Sequence, residues 1–190
     1  MSEFGEVLAR RLLYFMSPQL DIYKHIAPRV EGMSVIDIGF GTGFGTMQLV
    51  QYAEELVGME TDRDAVKFAE YCIPGIKWYW GDISRGIEYV GKEFDVAIMI
   101  EVLEHIPDWR AALANVVNVL KDGGEFYISA RNANADLRKN ELHEREWTAK
   151  EFKESLSEFF DEVVLYDYKL EKIQDTSTRM TPLVAWCKKG

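Results

Sequence analysis

In the nine residues Val35-Ile36-Asp37-Ile38-Gly39-Phe40-Gly41-Thr42-Gly43, an apolar, β-favouring run meets glycine at every second position. The pattern of a buried strand stops where the glycines begin, so the spacing predicts a strand, a tight turn and then a helix. Glycine in such a turn lets backbone approach a ligand that a side chain would hold away. Two familiar phosphate loops are excluded. A G-x-G-x-x-G fingerprint needs a third glycine, and the three registers put Phe44, Thr46 or Gln48 there. A Walker loop needs Gly-Lys-Ser/Thr, which the stretch lacks. What remains is D-x-G-x-G-x-G, with Asp37 on the strand just before the turn. That pattern suits a ligand with a charged amino-acid end better than one with a pyrophosphate.

Four further strand-like blocks follow. Leu56-Val57-Gly58-Met59-Glu60-Thr61-Asp62 ends in acids. An acid about 20 residues past a glycine turn is placed to take two ribose hydroxyls. Trp78-Tyr79-Trp80-Gly81-Asp82-Ile83 ends in Gly-Asp, and Phe94 to Ile100 runs into Glu101-Val102-Leu103-Glu104-His105-Ile106. Leu120 to Ile128 carries a turn at Asp122-Gly123-Gly124 and then a fifth strand. Alternating strands and helices from 33 to 130 call for a mostly parallel sheet covered on both faces. Residues 3–26 read as helical, with a break at Ser17-Pro18. Beyond residue 130 a polar segment leads to Thr148 and Glu151, spaced as a capping box, and a helix bearing Phe152, Leu156 and Phe159 on one face. Glu162 to Lys169 and Met180 to Lys188 read as a final antiparallel pair. Neither repeats nor linkers interrupt the chain, so one domain is expected over 1–190.

In these five blocks, over residues 30–130, the chain resembles the class I S-adenosylmethionine-dependent methyltransferases, of the small-molecule type that includes ubiquinone-biosynthesis O-methyltransferases. The resemblance implies an α/β fold: a Rossmann-like, seven-stranded, mostly parallel sheet with helices on both faces and an antiparallel C-terminal strand pair. It implies S-adenosylmethionine as cofactor, bound by Asp37, Gly39, Gly41, Glu60, Thr61, Asp82, Ile83 and Glu101. Glu60 would take the ribose diol and Asp82 the adenine amine. Residues 1–30 would form a helical lid, or a helix that only covers the sheet edge, and 131–147 the substrate side. Phe40 departs from the pattern, standing where relatives carry a small residue or Cys; it reads as packing variation.

Methyl transfer from a sulfonium needs chiefly alignment, because the electrophile is already activated. A hydroxyl or amine acceptor also calls for a general base. Glu101, Glu104 and His105 follow strand four at the carboxyl end of the sheet, where open α/β folds bind ligands. A helix starting at Val102 would put all three on one face. Two carboxylates and an imidazole make either a base with orienting partners or a divalent-metal ligand set. His143 belongs to the polar segment that can fold back over the same mouth. E-x-x-E-H with a later His resembles ubiquinone-biosynthesis and small-RNA 2′-O-methyltransferases that hold a metal. The alternative is a fold signature in which Glu104 and His105 support the loop. The metal reading is the less favoured, so metal ligands stay open, and His105 and His143 are the catalytic candidates. His25 reads as structural, and Trp147 as standing at the entrance.

Composition sets the remaining bounds. The contents of 47% apolar and 28% charged residues in a chain of 190 are globular values. A formal charge of −10 argues against extended contact with a phosphate backbone. Arg131, Arg138, Lys139 and Arg145 would still make a local rim for a small RNA. No N/D-P-P-Y/F motif follows strand four, which argues against adenine-N6 or glutamine methylation. Cys72 and Cys187 are expected as two reduced thiols. No apolar run reaches spanning length and no leader pattern opens the chain, so a cytoplasmic protein is expected. The expected function is methyl transfer to an oxygen or nitrogen of a small-molecule acceptor. The alternatives are an RNA or protein methyltransferase, or a non-catalytic cofactor-binding domain. Oligomeric state is not legible in the sequence.

Overall fold

The computed structural model describes residues 18–87, 90–137 and 140–190. The helical reading of residues 3–17, most of the expected lid, and Arg138 and Lys139 lie outside those residues.

Seven strands form one sheet: β1 Ser34–Ile38, β2 Glu55–Glu60, β3 Lys77–Trp80, β4 Phe94–Ile100, β5 Leu120–Ala130, β6 Glu162–Tyr166 and β7 Leu183–Lys188. Their order is β3-β2-β1-β4-β5-β7-β6. The first five pair in parallel, while β7 runs antiparallel to both β5 and β6. Among the described residues four α-helices accompany them: α1 Pro18–Ile26, α2 Arg63–Cys72, α3 Trp109–Val119 and α4 Ala149–Ser157. The expected Rossmann-like sheet with its antiparallel C-terminal pair is therefore what the chain forms.

Side chains alternate across a strand, and β1 shows how this divides the core. Ile36 and Ile38 face the α3 and α4 layer, with Leu113, Val116, Phe152 and Leu156. Val35 faces the other side, with Ile22, Tyr23 and Ile26 of α1. Residues 18–30 thus cover the sheet face between β1 and β4. None of them lines the cleft described below.

Helix starts follow their caps. Asp62 accepts from the amides of Asp64 and Ala65 at the start of α2, and Asp108 accepts from Ala111 at α3. Thr148 and Glu151 form the reciprocal capping box at α4 that their spacing predicts. The glycine turn, however, does not open onto a full helix. It passes into a single 3₁₀ turn, Thr46–Gln48, before the chain reaches β2. Trp147 also departs from expectation. It is not at an entrance but fully buried, edge-on to Trp109 with ring centroids 5.9 Å apart and 6.0 Å from Phe152. Both cysteines are unpaired, Cys72 exposed at the end of α2 and Cys187 buried in β7. No described helix is long and apolar enough to cross a membrane.

Phe152 is fully buried in the larger core, whereas Thr148 acts only through its cap. Phe152→Ala is therefore expected to cost about 3–5 kcal/mol, and Thr148→Ala only about 1 kcal/mol. Urea denaturation of the two variants checks the contrast.

Candidate functional site

A cleft of about 360 Å³ opens at the carboxyl ends of β3, β2, β1 and β4. That is a size suited to a small molecule. It lies at the switch point, where the chain leaves β1 to one side for β2 and returns on the other for β4.

The glycine turn meets the cleft at Gly39, while Gly41 and Gly43 are not in its lining. Gly39, Gly41 and Gly43 have φ of 74°, 58° and 80°, the left-handed region that favours glycine. Gly39 has a second reason to lack a side chain, since a Cβ there would run into the Val102 methyls. Its amide donates to the Met59 carbonyl at 2.7 Å, tying the turn to β2. Phe40 turns away from the cleft and packs on Trp78 with centroids 4.4 Å apart.

Glu60 ends β2 and lines the cleft. Its Oε1 accepts from the Thr61 amide and hydroxyl and the Asp62 amide, at 2.7, 3.0 and 3.1 Å. Its Oε2 accepts from the Gly41 amide at 2.8 Å. A carboxylate oxygen offers two lone pairs, so Oε2 keeps acceptor capacity on the cleft side. Asp82 uses Oδ1 to take the Ser84 amide and hydroxyl, capping a 3₁₀ turn at Ile83–Arg85. Its Oδ2 faces Arg85 at 3.3 Å. Thr61 and Ile83 also line the cleft.

Asp37 stands beneath the turn rather than in the cleft. It is completely buried and accepts from the Tyr23 hydroxyl at 2.8 Å and the Thr46 hydroxyl at 2.6 Å. Burial pushes its pKa up to about 7, against the pull of those two hydrogen bonds. Tyr23 and Thr46 are site residues that the sequence does not signal. No local pattern links them to Asp37, because only the packing of α1 on β1 brings them together.

The opposite wall follows β4. Glu101 adopts φ of 56°, unusual for a residue with a side chain. Ser129 holds it there: its carbonyl and hydroxyl accept from the Glu101 amide at 3.2 and 3.0 Å, and its hydroxyl donates to Glu101 Oε1 at 2.9 Å. The next turn is 3₁₀, Leu103–His105, not the start of an α-helix. Glu101, Glu104 and His105 therefore do not share one helical face. Glu104 turns inward and is buried, while His105 is exposed and lines the cleft. Glu104 Oε1 accepts from the Arg131 amide at 3.3 Å, and its Oε2 has no hydrogen-bond partner among the described residues. Burial raises the pKa of both acids, and the charge of Glu104 raises that of Glu101 further.

The segment before α4 folds over this wall. The amides of Glu144 and Arg145 donate to the Glu104 carbonyl at 2.8 and 3.3 Å. His105 Nδ1 lies 3.0 Å from the Leu142 carbonyl. A carbonyl only accepts, so Nδ1 carries the hydrogen, and in the neutral ring Nε2 keeps the lone pair. His143 packs edge-on to His105, with centroids 4.8 Å apart. Both of its ring nitrogens are engaged: Nε2 with the Asn140 amide at 2.9 Å, Nδ1 with Glu146 at 2.8 Å. It is not part of the cleft lining. Among the described residues, no three of His, Cys, Asp and Glu are grouped to hold a metal ion. Two residues of the expected basic rim are described, and both are engaged. Arg131 pairs with Glu146 at 3.1 Å, and Arg145 lies 5.2 Å from the ring centroids of both Trp109 and Trp147.

Residues 36–128 match a family model described as a methyltransferase domain. A probable S-adenosylmethionine-dependent methyltransferase of Mycolicibacterium smegmatis is 26% identical over 140 residues, 71% of this chain and 54% of that protein. A ubiquinone biosynthesis O-methyltransferase of Erwinia tasmaniensis is 23% identical over 121 residues, 62% of this chain and 50% of that protein. The chain thus spans about half the length of these curated relatives. Among solved structures, a Thermotoga maritima protein described as a possible histamine N-methyltransferase superposes with a TM-score of 0.75. The match covers 98% of each chain at 15% identity, a likeness of fold.

The buried acid under the turn generates a pH signature. Between the ordinary aspartate value of 3.8 and about 7, folded Asp37 holds a proton that the unfolded chain has released. Stability is therefore greatest below that window and falls as pH rises through it. The effect amounts to roughly 4 kcal/mol at most. Asp37→Asn is expected to flatten the dependence between pH 4 and 7 and to be relatively more stable at pH 8. Denaturation midpoints of both proteins across that range measure it.

Proposed function

The chain carries the methyltransferase domain of the class I S-adenosylmethionine-dependent family, and from that premise we propose that it methylates an oxygen or nitrogen of a small molecule, with His105 as the base. One observation carries the reading. The Leu142 carbonyl fixes the hydrogen of His105 on Nδ1, which leaves the Nε2 lone pair for the cleft.

The residues present fit the cofactor. The glycine turn keeps its backbone bare, since a Cβ at Gly39 would fill the space against Val102. Glu60 Oε2, already held by the Gly41 amide, suits a ribose hydroxyl, and Asp82 suits an adenine amine. When bound, S-adenosylmethionine supplies a sulfonium-activated methyl group. The protein's part is to orient the acceptor and accept its proton at His105 Nε2. Glu101 belongs to the methionine end of the cleft, beside Gly39 and Val102. Asp37 acts at one remove, by holding the turn in shape. His143 is a positioning residue: Asn140 and Glu146 fix its ring, and its ring fixes His105.

Three measurements test this reading. Glu60→Ala is expected to weaken S-adenosylhomocysteine binding by about 1.5–3 kcal/mol, the scale of hydrogen bonds to a charged group. Calorimetry with no binding to the wild type would sink the cofactor assignment. Acceptors are sought by fractionating small metabolites against labelled cofactor. With an acceptor in hand, His105→Ala is expected to lower kcat by about 10²–10⁴-fold while leaving cofactor affinity intact. A wild-type rate in that variant would remove the base. Chelator is expected to leave the rate unchanged, whereas loss of activity restored by Mg²⁺ would put a metal in place of the base.

A further inference from the structure

A second cavity, of about 380 Å³, lies on the α1 side of the sheet and is lined by Arg29, Glu125, Tyr127, Tyr166, Leu170 and Trp186. It shares no residue with the cleft at the carboxyl ends of the strands. Glu125 sits midway along β5, four residues before Ser129, which puts it about 13 Å along the strand from the cleft wall.

The Glu125 carboxylate is held in place from two sides. Its Oε2 accepts from the Trp186 indole at 2.8 Å and from the Tyr127 hydroxyl at 3.2 Å. Both donors are neutral, and among the described residues Glu125 has no ion-pair partner. Arg29 is equally without a carboxylate, its guanidinium donating to the His25 carbonyl at the end of α1. Burial and the charge of Glu125 push the pKa of the Tyr127 hydroxyl up, and the nearby charge of Arg29 offsets part of that rise, so both charges reach this cavity. The rest of the lining is the rings of Tyr127, Tyr166 and Trp186 and the side chain of Leu170.

Opposite charges that line one cavity without pairing to each other select the ligand. A simple cation would meet Glu125 but be repelled by Arg29, and a simple anion the reverse. We propose that this cavity binds a small zwitterion: an ammonium group at Glu125, a carboxylate at Arg29, and an apolar body among the three rings. Aromatic faces beside the carboxylate add to the attraction for an ammonium group. A free amino acid with an aromatic or aliphatic side chain is the ligand class that meets all three demands.

Phenylalanine, phenethylamine and 3-phenylpropionate separate the three demands, since they share one body and differ in charge. Calorimetry on the full chain, with and without S-adenosylhomocysteine, is expected to rank phenylalanine tighter than either analogue by about tenfold. The order should hold in both conditions, because the two cavities are distinct. Glu125→Gln, which keeps an acceptor for Trp186 and Tyr127, should erase the advantage of phenylalanine over 3-phenylpropionate. Arg29→Met, at an exposed position, should erase its advantage over phenethylamine, and it carries the test if Glu125→Gln lowers the melting temperature. No binding of any of the three would overturn the proposal. So would equal affinities that neither variant alters, or binding that S-adenosylhomocysteine abolishes. None of these outcomes depends on methyl transfer.

Discussion

The hydrogen bonds that Tyr23 and Thr46 give to Asp37 join three parts of the chain at one buried carboxyl group. Tyr23 comes from α1, Asp37 from the carboxyl end of β1, and Thr46 from the far side of the glycine turn. Burying such a group without partners is costly, so the two hydroxyls are what make Asp37 tolerable there. In return they pin a turn whose glycines would otherwise leave it loose. The turn's position then sets the Gly41 amide, which holds Glu60, and the close approach of Gly39 to Val102. Both walls of the cleft are thus placed by a residue that does not enter it.

The far wall obeys a similar logic. Glu101 keeps a backbone conformation that few side-chain-bearing residues adopt, and Ser129 on the neighbouring strand compensates with its hydroxyl and carbonyl. Glu104 points into the protein, where its backbone carbonyl and one carboxylate oxygen receive amides from segments far along the chain. This brings Leu142 to His105, and His143 behind it. The E-V-L-E-H stretch therefore acts in two directions. Alternate roles fall to adjacent residues because a 3₁₀ turn, unlike an α-helical one, sends Glu104 inward and leaves His105 in the cleft.

Much of the fold was legible because its signals are local. β1, β2, β3, β4 and β5 lie where apolar runs meet acids or glycines, and α4 starts where Thr148 and Glu151 form their capping box. The residues lining the cleft were legible for the same reason, since Glu60, Thr61, Asp82 and Ile83 follow directly from strand ends. Trp147 was misjudged because an aromatic residue in a polar segment looks exposed. Its burial depends on Trp109 and Phe152, which come from other elements. The 3₁₀ turn at Thr46–Gln48 was read as a full helix because glycine marks where a strand ends and not how long the next element runs.

By itself, the sequence determined the order of strands and helices, the bare glycine backbone and the acids at strand ends. Periodicity, capping and turn chemistry act between residues only a few positions apart. Only the tertiary structure decided what each polar side chain does. Asp37 became a buried anchor because α1 packs across β1. His143 became a neighbour of His105 because the amides of residues 144 and 145 find the Glu104 carbonyl. Glu125 and Arg29, about a hundred residues apart in a chain of 190, line one cavity because the turn after α1 packs on the sheet face that carries Tyr127. Hydrogen bonds across such distances depend on packing that no short stretch of sequence encodes.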